Sequence, residues 1–118
     1  MTTKRQAAIS RALASLAPMM PLEDALSVKA LVARRHMRAL PADRAVWLAM
    51  VTHIRHTRTD YDNLLADGYD RDAARFFVIE DINDVLRQWQ ATRLLDQHDD
   101  IDEPPNAPAR GASLKGMD

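Results

Sequence analysis

The chain has 118 residues, 47% hydrophobic and 28% charged, which suits a single soluble domain with a modest core and argues against a second one. Three glycines and two each of Phe, Tyr and Trp argue against a β-rich fold, and the absence of cysteine excludes disulfides and thiolate-held metals and suits the cytoplasm. The net charge of −1 hides a division: ten Lys/Arg against three acids over 1–58 give +7, and six against fourteen over 59–118 give −8. Either the halves neutralise each other on packing, or a basic face meets phosphate and an acidic tail competes for it.

The spacing predicts a first helix over Lys4–Leu16, with Ala8, Ile9, Ala12, Leu13 and Leu16 on one face and Pro18 and Pro21 stopping it. Pro21 opens a second helix, with Glu23 and Asp24 at the positive end of its dipole. Leu26, Ala30, Leu31 and Val32 face the core, and Arg34, Arg35 and Arg38 crowd the far end. A third helix, about Ala42 to Thr57, places Trp47, Met50, Val51 and Ile54 on one stripe and is expected to be central.

Thr59 and Asp62 read as a capping box for a short helix that turns Tyr61, Leu64 and Leu65 inward and closes at Gly68. Asp70 caps the next helix, expected to run from Arg71 to about Leu95 on the stripe Val78, Ile79, Ile82, Val85, Leu86 and Trp89. Phe77 and Leu95 lie off that stripe, where they either receive the first helix or remain exposed as a patch for self-association. From His98 onward the composition is acidic and proline-containing, too poor in apolar residues to offset ordering entropy. The expected fold is therefore all-α: a bundle of four helices plus one short helical turn over 1–97, with a disordered tail over 98–118. No run is apolar enough for a signal peptide or a membrane span.

The informative stretch is His53-Ile54-Arg55-His56-Thr57-Arg58-Thr59-Asp60-Tyr61-Asp62-Asn63-Leu64-Leu65, followed by Gly68, Arg71, Ala74-Arg75, Leu86 and Trp89. This pattern, roughly residues 45–89, resembles the family catalogued as domain of unknown function 2293, mostly bacterial proteins. The resemblance implies no activity. Read physically, His53 and Arg55 fall at the boundary of the third helix's stripe and His56 faces outward. Arg71 and Arg75, one turn apart on the core-facing side of their helix, need acceptors, and Asp60 and Asp62 are the natural candidates. The polar constellation is thus His53, Arg55, His56, Thr59, Asp60, Tyr61, Asp62, Arg71 and Arg75. It either fixes the turn after the third helix or lines an anion pocket with Arg75, His53 and Tyr61.

Three functional classes remain open. A non-enzymatic protein-interaction or structural module, meeting a protein partner or a second copy of the chain, is favoured. The alternative is nucleic-acid association through residues 34–58, where Arg34, Arg35, Arg38, Arg44, Arg55 and Arg58 stand with three histidines and the single acid Asp43. A metal-dependent hydrolase using His53 and His56 comes last, because their i, i+3 spacing lacks the Glu and i, i+4 spacing of a metalloprotease helix. His36 and His98 read as solvated surface residues. Nucleophilic catalysis has little behind it, since there is no Cys, no glycine elbow beside any Ser and no phosphate-cradling glycine loop. No cofactor is expected.

Overall fold

The computed structural model describes residues 3–97 and 99, so the expected tail over 98–118 lies, apart from Asp99, outside the described residues. Among the described residues six α-helices follow in order: α1 Lys4–Leu16, α2 Leu22–Val32, α3 Ala42–Arg58, α4 Tyr61–Ala66, α5 Arg71–Phe77 and α6 Ile79–Gln88, with a 3-10 turn Arg35–Met37 before α3. The fold is all-α, with no strand among the described residues, and no described helix is long and apolar enough to cross a membrane.

Helix α1 has the expected bounds and starts at a reciprocal capping box. The Gln6 N–H donates to Thr3 Oγ1 at 3.0 Å and the Thr3 N–H donates to Gln6 Oε1 at 2.9 Å. Ile9 and Leu13 are buried from it, as is Ala17 just past its end. Its Arg5 donates to the carbonyls of Leu40 at 2.9 Å and Met37 at 3.1 Å, tying α1 to the connection that leads into α3.

Helix α3 is central, as its pattern implies, and packs against α1, α2, α4 and α6. Burial is not limited to one stripe: every residue from Ala45 to Val51 is buried, because neighbouring helices cover α3 on more than one side. Trp47, Ile54, Ile82, Leu86 and Trp89 all belong to the core.

In α2 the expected face is rotated. Val32 is buried and Leu31 packs half-buried against the core as expected, but Leu26 and Ala30 are exposed, and Asp24 and Val28 are buried in their place. The i, i+4, i+8 row Asp24, Val28, Val32 begins with a carboxylate, so a hydrophobic pattern catches only its last member cleanly and adds Leu26 and Ala30 from the outer side.

The long helix expected from Arg71 to Leu95 is broken twice. At Val78 (φ −103°, ψ 4°) no proline or glycine intervenes, but the halves have different hosts, α5 lying on α4 and α6 on α3. At Gln88 the helix stops in a Schellman motif: the Gln90 N–H bonds to Arg87 O, the Ala91 N–H bonds to Leu86 O, and Gln90 takes φ 54°. The chain then turns back, with the Thr92 N–H on Leu16 O and buried Asn83 bonding both the N–H and the C=O of Leu95. Leu95 is thereby buried while Phe77 stays exposed, so the two off-stripe residues part ways and only Phe77 remains on the surface.

Helix α4 ends at Gly68 (φ 101°) in the same kind of motif, with the Tyr69 N–H on Leu64 O, and Asp70 caps α5 by accepting from the Ala73 N–H. The expected capping box at Thr59 does not form. Thr59 closes α3, donating to Arg55 O and accepting from the Tyr61 N–H, while Asp62 turns to His56. Tyr61 is buried as expected; Leu64 is half-buried and Leu65 exposed.

Candidate functional site

The polar residues of α3 do not form one site but divide among three directions. The first is buried. Asp24, in the first turn of α2, is 4% exposed and lies across from the end of α3. His53 Nε2 approaches Asp24 Oδ1 at 2.7 Å, and Arg58 donates from Nη2 to Oδ2 at 2.8 Å and from Nε to Oδ1 at 3.4 Å. Burial alone would raise the Asp24 carboxyl; the hydrogen bonds and positive charge of His53 and Arg58 outweigh it and hold the group below its ordinary value. An ionised carboxylate only accepts, so His53 carries its proton on Nε2. Arg58 also lies over the Trp89 ring, 5.7 Å from its centroid, joining α2, α3 and the end of α6. The Thr57 hydroxyl donates to its own helix at His53 O.

The second direction is exposed. His56 Nδ1 bonds Asp62 Oδ1 at 2.7 Å, and its ring meets Tyr61 edge-on with centroids 5.4 Å apart. Both side chains of this pair are about half exposed, so it contributes little to stability. The Asp60 carboxylate accepts a long 3.5 Å bond from Asn63. The two histidines thus face separate carboxylates, and among the described residues no group of three His, Cys, Asp or Glu side chains converges on a point.

The third direction belongs to Arg55, which is 4% exposed rather than at the boundary. Its guanidinium lies 5.5 Å from the Tyr61 ring centroid, and together with Arg75 it lines a cavity whose carboxylates are Asp72, Asp96 and Asp99. The acids beside Arg75 therefore come from α5 and the returning segment, not from Asp60 and Asp62. Arg71 is exposed, because α5 is a separate helix that buries Ala74 instead.

The arginines proposed for nucleic acid separate as well. Arg34, Arg35, Arg38 and Arg44 are exposed, whereas Arg55 is buried and Arg58 is held by Asp24. No single face carries all six.

An aromatic surface stands out that the sequence pattern only half reveals. Phe76 is 60% exposed and Phe77 58%, and Phe77 meets Tyr69 edge-on at 5.5 Å and Phe76 at 6.2 Å. Beside them runs a groove of about 650 Å³ lined by Phe76, Phe77, Ile79, Glu80, Leu95 and Asp96. Phe77 was legible as an off-stripe apolar residue, but Phe76 and Tyr69 were not. Asp24 was likewise missed as a partner of His53, since nothing in a sequence links positions 29 residues apart.

A family model described as "Uncharacterized conserved protein (DUF2293)" matches residues 12–90, from within α1 to the turn that closes α6. No curated protein and no solved structure matches the chain.

Proposed function

The chain belongs to the DUF2293 family of uncharacterized conserved proteins, and on that premise we propose that it is a non-enzymatic helical interaction module that docks a protein partner on the aromatic surface of α5. The observation that carries this reading is the exposure of Phe76 and Phe77 beside a groove rather than under a neighbouring helix. Clustered aromatic side chains at a concave edge are the usual anchors of protein interfaces, and burying them contributes about 25 cal/mol per Å² of apolar area.

The rim sets the chemistry of the partner. Asp70, Asp72 and Glu80 are exposed around the aromatic cluster, and Asp96 lines the groove with Glu80. An amphipathic helix with an apolar stripe edged by Lys or Arg complements such a surface, the apolar stripe giving affinity and the basic edges fixing orientation.

Fluorescence anisotropy with a labelled leucine–lysine amphipathic peptide, and with its leucine–glutamate counterpart, tests the proposal. Saturable binding of the basic peptide alone, abolished by Phe77→Asp, is expected. Binding of neither peptide, with a protein that sediments as a monomer, overturns it. A dimer lost on Phe77→Asp would replace the helical partner with a second copy of the chain.

A further inference from the structure

From the geometry between α1 and α2 we infer a second, independent site: a cavity that binds a phosphate-bearing ligand through Arg5, Lys29 and Arg38. The cavity has a volume of about 430 Å³. Ile9 and Val32 supply apolar wall, Ser10 supplies a hydroxyl, Arg5, Lys29 and Arg38 line it, and among the described residues no carboxylate does.

The three cations arrive from different parts of the chain, which is why no sequence window contains them. Lys29 lies in the last turn of α2, and Arg38 closes the 3-10 turn that follows. Both positions suit a cation against the negative end of the α2 dipole. Arg5 does not share that explanation, since it sits in the first turn of α1, where the dipole disfavours positive charge and no acidic residue accompanies it. Its guanidinium is fixed by the carbonyls of Met37 and Leu40, the residues on either side of Arg38 and Ala39. Those two bonds occupy two of its five N–H donors and leave three for a ligand. Lys29 and Arg38 form no ion pair among the described residues.

Three like charges around one concavity repel one another, and a multiply charged anion relieves that repulsion. A phosphate group fits the donors, because a fixed arginine fork and two mobile cations supply both direction and charge. The size of the cavity leaves room for more than the phosphate, and Ile9 and Val32 offer an apolar surface to what the phosphate carries. Two sources share this chemistry: a free phosphorylated small molecule and the backbone of a nucleic acid.

Titration of isotope-labelled protein with inorganic phosphate, adenosine monophosphate and a short single-stranded oligonucleotide, followed through amide resonances, tests the inference. Saturable shifts centred on Ser10, Lys29 and Ala33 are expected. The double variant Lys29→Ala, Arg38→Ala, which changes two exposed side chains, is expected to weaken binding about tenfold or more while circular dichroism is unchanged. Tighter binding of the mononucleotide, with shallow salt dependence, identifies a small phosphorylated ligand. Tighter binding of the oligonucleotide, falling steeply with salt, identifies a nucleic-acid backbone. Absence of saturable shifts with all three probes, or shifts that the double variant leaves unchanged, overturns the site.

Discussion

Asp24 and His53 meet at 2.7 Å across the α2–α3 interface, and the carboxylate at the centre of that contact is almost wholly buried. Its folded-state pKa is lowered, so the ionised group contributes stability above its unfolded value, and that contribution is lost as pH falls through the lower, folded value. The window therefore lies at and below the ordinary carboxylate range. Asp24→Asn keeps the shape but removes the charge and is expected to cost about 3 kcal/mol at neutral pH. Urea denaturation of both proteins at neutral and strongly acidic pH should show the difference shrinking in acid; a constant difference would mean that the charge does not matter.

The two tryptophans test different terms of packing. Trp89 is 4% exposed and caps α6 against the core, so Trp89→Ala should cost about 3–5 kcal/mol, which threatens a domain of this size. Trp47 is equally buried, yet its Nε1 has no hydrogen-bond partner among the described residues, while Arg93 stacks 4.1 Å from its ring centroid. Trp47→Phe removes that unsatisfied donor together with some volume, and the two effects oppose each other. The expected loss is below about 1.5 kcal/mol by thermal denaturation. A loss as large as that of Trp89→Ala would show that the indole N–H is satisfied in solution.

Much of the fold was legible because it follows from periodicity. The bounds of α1, the central place of α3, the glycine that ends α4 and the aspartate that starts α5 all follow from local chemistry. The failures share one cause, the intervention of distant partners. Asp24 reads as a dipole residue until His53 and Arg58 are brought to it, and the apolar run after Arg71 reads as one helix until its halves dock on different neighbours. Asn83 carries no periodic signal at all, but its amide bonds the backbone of Leu95 and pulls the chain back. The candidate site was legible only as a set of residue types. Helix α3 projects them in different directions, so His53, His56 and Arg55 each meet different partners.

The returning segment depends on that asparagine. Leu95 donates its N–H to Asn83 Oδ1 at 2.7 Å and accepts from Nδ2 at 3.0 Å, both in a buried setting. Asn83→Ala leaves both backbone groups without those bonds and is expected to cost about 2–3 kcal/mol. Hydrogen exchange gives the sharper reading: the Leu95 amide should lose protection while amides in the middle of α3 keep theirs at mild denaturant. Unchanged protection at Leu95 would mean that packing of its side chain alone holds the segment.

Gly68 and Gln90 occupy equivalent places in two Schellman motifs, with φ of 101° and 54°, yet only one is glycine. A side chain in the left-handed region costs about 1–2 kcal/mol, so the two positions should respond in opposite directions to exchange. A Cβ at Gly68 meets nothing within 4 Å, which leaves backbone strain as the penalty for Gly68→Ala, about 1 kcal/mol. Gln90→Gly relieves the strain at its own site and raises the flexibility of the unfolded chain, for a net gain of up to about 1 kcal/mol. In a domain of this size that separates the two variants by several degrees in Tm, one below the parent and one above it. A destabilised Gln90→Gly variant would mean that the glutamine side chain contributes more than its backbone conformation costs.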